Sequence, residues 1–423
     1  MPNELKKSYL SYRTGVANNT KNPKKCNDYR TISLMSHVLK LFLKVIHNRI
    51  YSKCESTLSC TQFGFRSGLG TRDALFGYQV LIQRCLDMNR DLFVCFVDYE
   101  KAFDNVRHGK MMEILQRIGL DYKGCCFIKN LYWKQSANIR VNSKHSSYIE
   151  IQRGVRQGCI LSPLLFNLYA DAIFSEALDN CHHGIAINGK LLNNLRCADD
   201  TILIAESLEG LQKKSKYMTI SRTPELFTQY IYLNNQTLER VSKIRYLGTV
   251  IDEKGDHSIE IRCRIEQARN AFSKLKKVLC DKRLNLQVRT RIARCYVFSV
   301  LLYGVESWTL TETMSKKLEA FEMWVYRRML KISWTDRIRN TTVLDRMQEN
   351  KEVLKTVKKR KLEYFGHVLR NCKKYELLQL IIQGKVAGRR RPGRRRTSWL
   401  KNLRQWFGQS TKSLFRSAAS QLK

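Results

Sequence analysis

Asp199 and Asp200 stand side by side in Cys197-Ala198-Asp199-Asp200, and the apolar run Thr201-Ile202-Leu203-Ile204-Ala205 follows. This pattern predicts a β-hairpin with the two acids at or near its tip. Adjacent carboxylates repel one another unless a cation lies between them. A third acid, Asp98, closes another apolar run, Leu92-Phe93-Val94-Cys95-Phe96-Val97. Three carboxylates on two neighbouring strand ends make a hard-oxygen donor set for a pair of Mg²⁺ ions, with Mn²⁺ as a substitute. Such a pair clamps the attacking and leaving oxygens of a phosphoryl transfer. An isolated Asp-Asp pair is more often turn chemistry alone, so the surrounding segments decide.

The chain of 423 residues is long enough for two or three domains with cores of their own. Its 76 Lys and Arg against 37 Asp and Glu leave a formal charge of +39. That surplus points to a polyanionic partner, most simply nucleic acid. No apolar run has the length of a membrane-spanning helix, and no basic amphipathic helix carries a clean aromatic face, so no membrane partner is expected. Met1-Pro2-Asn3-Glu4 runs into lysines rather than an apolar core, and no secretory signal is visible. The 14 cysteines include no CxxC pair, and Cys181-His182-His183 lacks a second half at zinc spacing, so it reads as a polar loop. Reduced thiols in the nucleus and cytoplasm are the expectation.

The elements that must position the acids follow from periodicity. Residues 1–26 read as an irregular, basic N-terminal segment, and Tyr29 to Ile50 as helical. A glycine-rich turn, Gln62 to Asp73, opens a second helix from Ala74 to Met88. A strand over 92–97 ends at Asp98, and Asp104 would cap a helix stopping at Gly119. Arg153 to Gly158 form a loop, and Ser162-Pro163 starts a helix running to about Leu178. Strand-like pieces follow at 185–187, 195–197, 201–205, 217–221, 230–233 and 244–251. Beyond Asp256 the chain reads as helical and basic, near 259–279, 286–303, 314–331 and 352–369. It closes with the basic run Gly388 to Arg396 and a short helix carrying Trp399, Leu403, Trp406 and Phe407.

Six blocks now stand in a specific order: Tyr29-Arg30-Thr31-Ile32-Ser33-Leu34, QFGFRSGLGTRDA (62–74), FVDYEKAFD (96–104), RGVRQGCILSPLLFNLY (153–169), CADDTILIA (197–205), and Tyr246-Leu247-Gly248 with Ile251-Asp252. Over residues 27–408 the chain resembles the reverse transcriptase of non-LTR, LINE-type retrotransposons, and its C-terminal half the RTE-like endonuclease–reverse transcriptase polyproteins. The resemblance implies an α+β right-hand polymerase with fingers, a ferredoxin-like palm of antiparallel sheet plus helices, and an α-helical thumb and C-terminal region. It implies RNA-directed DNA polymerisation, with an RNA template, a DNA primer or target, and deoxynucleoside triphosphates as partners. Asp98, Asp199 and Asp200 match the catalytic metal ligands. Arg30 matches a residue gripping the incoming triphosphate, and a planar guanidinium suits that bidentate contact. Phe103 matches a bulky ring that crowds a 2′-hydroxyl, and Gln157 a residue lying against the nascent base pair. Lys214, in Lys213-Lys214-Ser215-Lys216, is aligned with the end of a lysine-rich turn and assigned to nucleotide binding. Arg66, Gly158 and the turn Tyr246-Leu247-Gly248 match positions at the template and primer, and Lys101 also matches a family position. Arg389, Arg390, Arg391, Arg394, Arg395 and Arg396 would contact nucleic acid, with the interleaved aromatics stacking beside them.

The implied organisation is an irregular segment at 1–26, fingers and palm at 27–255, a helical thumb at 256–335 and a basic helical region at 336–423. Four departures are visible. Cys197 replaces an aromatic residue. Ser8 to Gly15 lack the alternation of a fingers strand. Only Glu206 to Lys216 separate two palm strands, where a crossover needs about a dozen residues. The endonuclease of full-length relatives is missing from the sequence. These departures define an alternative: a truncated retrotransposon remnant that binds nucleic acid and catalyses nothing.

Overall fold

The computed structural model describes residues 7–13, 30–97, 99, 101–133, 135–141, 144–178, 181–207, 216–224, 232–233, 236–237, 239–390, 392 and 396–420. In chain order come strands β1 (Lys7–Arg13) and β2 (Arg30–Leu34), helices α1 (His37–Thr57) and α2 (Thr71–Asp87), strand β3 (Leu92–Val97), and helices α3 (His108–Arg117) and α4 (Tyr122–Tyr132). Strands β4 (Gln135–Val141), β5 (Lys144–His145) and β6 (Ile149–Ile151) precede α5 (Ser162–Leu178). Then follow β7 (Ile185–Ile187), β8 (Lys190–Leu192), β9 (Asn194–Cys197), β10 (Asp200–Ala205), β11 (Lys216–Ile220), β12 (Tyr232–Leu233), β13 (Gln236–Thr237), β14 (Lys243–Tyr246) and β15 (Thr249–Asp252). The named elements beyond are helices: α6 (Ser258–Lys274), α7 (Lys276–Leu279), α8 (Leu286–Ala293), α9 (Ser299–Leu301), α10 (Glu312–Leu330), α11 (Asn340–Met347), α12 (Val353–Arg370), α13 (Glu376–Gln383), α14 (Trp399–Phe407) and α15 (Thr411–Ala419). The class is α+β, as expected. Two compact units divide the chain: 1–70, 98–182 and 195–201 form the first, and 71–97, 183–194 and 202–423 the second.

In the first unit the strands run β2-β1-β4-β5, with β6 also pairing with β4. Residues 7–13, expected to be irregular, are a strand flanked on both sides. Leu10 lies opposite Ser33 of the antiparallel β2 and opposite Ile139 of the parallel β4. Pairing along both edges overrides the missing alternation, because strand preference is mostly neighbour packing. Arg30–Leu34 is likewise a strand rather than part of a helix, and β-branched Thr31 and Ile32 suit it. The helix starts only after Ser36, whose Oγ accepts the Leu39 N–H at 3.2 Å. Leu39 and Leu43 of α1 then enter a core with Leu115, Ile128, Leu161 and Leu165. Asp104 caps no helix. It lies in a 3₁₀ turn, Ala102–Asn105, and α3 starts later, at His108.

In the second unit β11 runs antiparallel to β3, from Lys216 opposite Phe96 to Ile220 opposite Leu92, and β10 lies on the other edge of β3. The short link after β10 therefore does not stop this sheet from forming; residues 208–215, where a helix was in question, lie outside the described residues. Phe93, Cys95, Ala205 and Tyr217 pack together on it. The helices share a larger core: Phe272, Val297, Leu301, Trp308, Leu318 and Tyr326 pack with Val343 of α11 and Val357 of α12. That core runs through residue 335, where a boundary was expected.

The C-terminal helices cover α2. Tyr364 donates to Asp73 Oδ1 at 2.8 Å, and the Trp399 N–H donates to Gln83 Oε1 at 2.8 Å. Phe76 meets Tyr364 and Trp399 edge-on, each with ring centroids 4.9 Å apart. Gly77 leaves room for Leu378, since a Cβ there would fall 2.9 Å from its side chain. Lys361 is fully buried. Its Nζ donates to the Trp308 carbonyl at 2.5 Å and lies 4.9 Å and 5.0 Å from the Trp399 and Trp406 ring centroids. Burial holds its pKa well below the ordinary lysine value. Among the described residues no helix is long and apolar enough to cross a membrane.

Candidate active site

Strands β9 and β10 turn at Ala198 and Asp199, so the hairpin expected from the sequence is present. Asp199 and Asp200 are exposed, whereas Cys197 behind them is buried. Ala198 holds φ at +62°, a left-handed value that an alanine adopts at a cost. The surroundings dictate it. The Arg196 N–H donates to the Thr61 carbonyl at 2.9 Å, and the Phe63 N–H donates to the Arg196 carbonyl at 2.8 Å. Where this ladder ends, Gln62 Oε1 accepts the Ala198 N–H at 3.1 Å and the Gly64 N–H at 2.9 Å. Gly64 approaches so closely that a Cβ would lie 2.2 Å from the Ala198 nitrogen. Asn167 of α5, itself fully buried, donates to the Gly64 carbonyl at 2.7 Å.

An ion pair between the buried Arg196 and the part-buried Asp171 secures β9. Arg196 bonds to Asp171 of α5 and donates to Thr61 Oγ1 at 3.1 Å, and its guanidinium lies 5.0 Å from the Phe174 ring centroid. The second Asp171 oxygen accepts the Ser59 N–H at 3.2 Å. Arg196→Ala would strand Asp171 without its cation. Loss of about 3–5 kcal/mol is expected, read as a lower urea midpoint.

The loop before α5 folds around two glycines with φ of +97° and +99°, Gly154 and Gly158. A Cβ on Gly154 would meet the Asp104 backbone at 3.0 Å. The half-buried Gln157 accepts the Ser33 N–H at 2.9 Å with its carbonyl, which ties the loop to β2. Burial pushes the Asp104 carboxyl above its ordinary range, against the pull of Lys101 and a hydrogen bond with the Gln157 side chain. Arg156 is buried, donating to Gln135 Oε1 at 3.0 Å and to the Leu131 carbonyl at 3.1 Å. Phe103 stacks on Phe166 with centroids 4.7 Å apart and meets Phe65 edge-on at 6.0 Å. Its ring is fixed from two sides.

In the second unit β14 and β15 turn at Leu247 and Gly248, whose φ values of +46° and +77° suit a tight hairpin. Tyr246 is buried with Phe96 and Tyr78, at centroid distances of 6.0 and 6.1 Å. The turn carbonyls are held as well: Tyr303 donates to Leu247 at 2.9 Å, and Arg264 donates to Gly248. Glu260 completes the brace, bonding to Arg264 Nε at 2.5 Å and accepting the Val250 N–H at 2.6 Å.

The remaining expected residues are spread over the chain. Asp98, Lys214, Arg391, Arg394 and Arg395 lie outside the described residues, and Arg30 is described as backbone in β2. Arg66 spends its guanidinium on Glu55 Oε1 at 2.8 Å and on the Ser59 and Gln62 carbonyls, so it shapes the 59–66 turn. Arg389 and Arg390 are exposed, and Arg396 donates to the Lys254 carbonyl at 2.8 Å. Burial raises the pKa of Asp87, while Arg396, Arg390, Arg222 and Arg84 act against it, so part of the basic run is engaged within its own unit. Trp399 is in the core and closed to stacking. Sequence spacing gave no sign of Gln62, Asn167 or the Arg196–Asp171 pair as supports of the acidic turn; the block QFGFR held two of the supports, Gln62 and Gly64, as a motif without a role.

A protein-family model described as "Reverse transcriptase (RNA-dependent DNA polymerase)" matches residues 20–251. The Pol polyprotein from type-1 retrotransposable element R2 of Nasonia vitripennis is 30% identical over 44% of this chain and 18% of its own length. The RNA-directed DNA polymerase from mobile element jockey of Drosophila funebris is 23% identical over 76% of this chain and 37% of its own length. The chain thus spans well under half the length of these curated relatives. Apo telomerase from Candida tropicalis superposes over 90% of this chain and 70% of its own, at a TM-score of 0.41 and 12% identity.

Proposed function

Because the chain belongs to the reverse transcriptase family, we propose that it is an RNA-directed DNA polymerase that extends a primer 3′-hydroxyl along an RNA template. The observation that supports this best is the exposed Asp199–Asp200 pair on a hairpin packed against Gln62 and Gly64 and tied through Arg196 of β9 to Asp171 of α5. The family generally uses divalent metal ions. The donor chemistry fits Mg²⁺, with Mn²⁺ as a substitute, because exposed carboxylate oxygens are its ordinary ligands. Asp98, Asp199 and Asp200 would hold two such ions, which supply charge at the primer hydroxyl and at the leaving pyrophosphate.

The rest of the work is positioning. Arg30 and Lys214 would bind the triphosphate of a deoxynucleotide. Gln157, set by Ser33 and Asp104, would lie against the nascent base pair, with Gly158 beside it. Tyr246, Leu247 and Gly248 would steady the primer end on a turn braced by Arg264 and Tyr303. Arg66 would act on template and primer through the turn it shapes. The surplus charge, including Arg389 to Arg391 and Arg394 to Arg396, would hold phosphates with strongly salt-dependent affinity. In this reading fingers and palm occupy 27–255, a thumb begins at 256 and shares its core with the basic region across residue 335, and the chain works in the nucleus and cytoplasm.

The fixed ring of Phe103 would crowd a ribose 2′-hydroxyl. Phe103→Ala is therefore expected to lower the preference for deoxynucleotides over ribonucleotides by roughly 10- to 100-fold, read as the ratio of kcat/KM values. The function itself is tested by primer extension on a primed RNA with Mg²⁺ and deoxynucleotides. Template-length DNA is the expected product. Salt-sensitive binding of the same primed RNA without extension would sink the polymerase reading and leave a nucleic-acid-binding remnant.

A further inference from the structure

Gln62 takes no part in the chemistry just described, yet it is fully buried against the acidic turn. We propose that Gln62 is a positioning residue that locks Ala198 in its left-handed conformation and thereby aims Asp199 and Asp200; the aim matters only if the polymerase reading holds.

The geometry supports this. The backbone ladder between 61–63 and β9 ends at Arg196, two residues short of the turn. The Gln62 side chain takes over at that point, accepting the Ala198 N–H at 3.1 Å. An amide oxygen has two acceptor sites, and the second receives the Gly64 N–H at 2.9 Å, so the side chain cannot swing away without losing both bonds. Gly64 is in turn fixed by Asn167. An alanine at φ +62° persists only where its surroundings over-determine it, and Gln62 is the side chain that bonds its N–H. A neutral acceptor is also what the place requires, since a carboxylate there would add charge beside two carboxylates.

The test is a double-mutant cycle. Gln62→Met keeps length and volume but removes the acceptor. Ala198→Gly removes the strain, because glycine adopts positive φ freely. Gln62→Met should lower kcat for primer extension roughly 10- to 100-fold, with the deoxynucleotide KM changing less than about threefold. In the Ala198→Gly background the same substitution should cost less than about threefold. Hydrogen exchange over 195–201 should quicken in Gln62→Met, while α5 stays protected. Equal losses in both backgrounds, or unchanged exchange over 195–201, would overturn the proposal and leave Gln62 as core filling. If the parent chain extends no primer, the polymerase reading fails, and the exchange measurement alone decides the role of Gln62.

Discussion

Gly64→Ala should lower primer extension by about a hundredfold, the cost expected when reacting groups are displaced by about 1 Å. The added Cβ would sit 2.2 Å from the Ala198 nitrogen and 2.8 Å from the Cys197 carbonyl carbon. Both are backbone atoms, so no flexible side chain can swing aside. The turn must shift, and Asp199 shifts with it. Overpacking of this kind also lowers stability by about 1–3 kcal/mol, which a urea titration reads directly. Gly109 is the control. A Cβ there meets nothing within 4 Å, so Gly109→Ala in α3 should leave extension intact and stabilise slightly. Full activity in Gly64→Ala would show that the contact between the 62–64 turn and the acidic hairpin has no bearing on the chemistry.

Asp199→Asn and Asp200→Asn should each remove at least about 10³-fold of primer extension, because each deletes a charge aimed at the transition state. Binding should behave oppositely. Measured without divalent ion, where no bound metal is lost with the carboxylate, affinity for the primed RNA should hold or rise because a negative charge beside a polyanion is removed, with the slope of log K against log salt unchanged. Loss of extension together with retained binding separates chemistry from folding. A variant that still extends would remove its aspartate from the metal site.

Local patterns were legible in the sequence wherever one short stretch decides the outcome. The helix predicted at Ser162-Pro163 is present as α5, although Ser162 is its first residue and its Oγ lies beside the Tyr132 hydroxyl, and the acids of 197–200 sit at the hairpin turn that their flanking apolar residues predict. Distant partners were not legible. Lys7–Arg13 has a poor strand pattern, and its pairing with both β2 and β4 cannot be seen in its own residues. Arg66 matches a template and primer position by its block, whereas its bond to Glu55, a residue of a different element, cannot be read from that block. The same holds for the site. Aspartates and glycines announce themselves by type and spacing, whereas Gln62 and Asn167 act through single buried hydrogen bonds that no periodicity encodes.

The docking of the C-terminal helices on α2 carries a consequence for the order in which the protein is made. Phe76, Gln83 and Arg84 emerge early from the ribosome, yet their partners Trp399 and Gly384 come some three hundred residues later. At a synthesis rate of roughly 5–20 residues per second, the apolar face of α2 waits many seconds before it is covered. Closing so long a loop also slows the final step of folding. Chains released before α12 and the helices after it are made would leave that face open to solvent, and premature termination should therefore yield aggregates rather than a smaller folded protein.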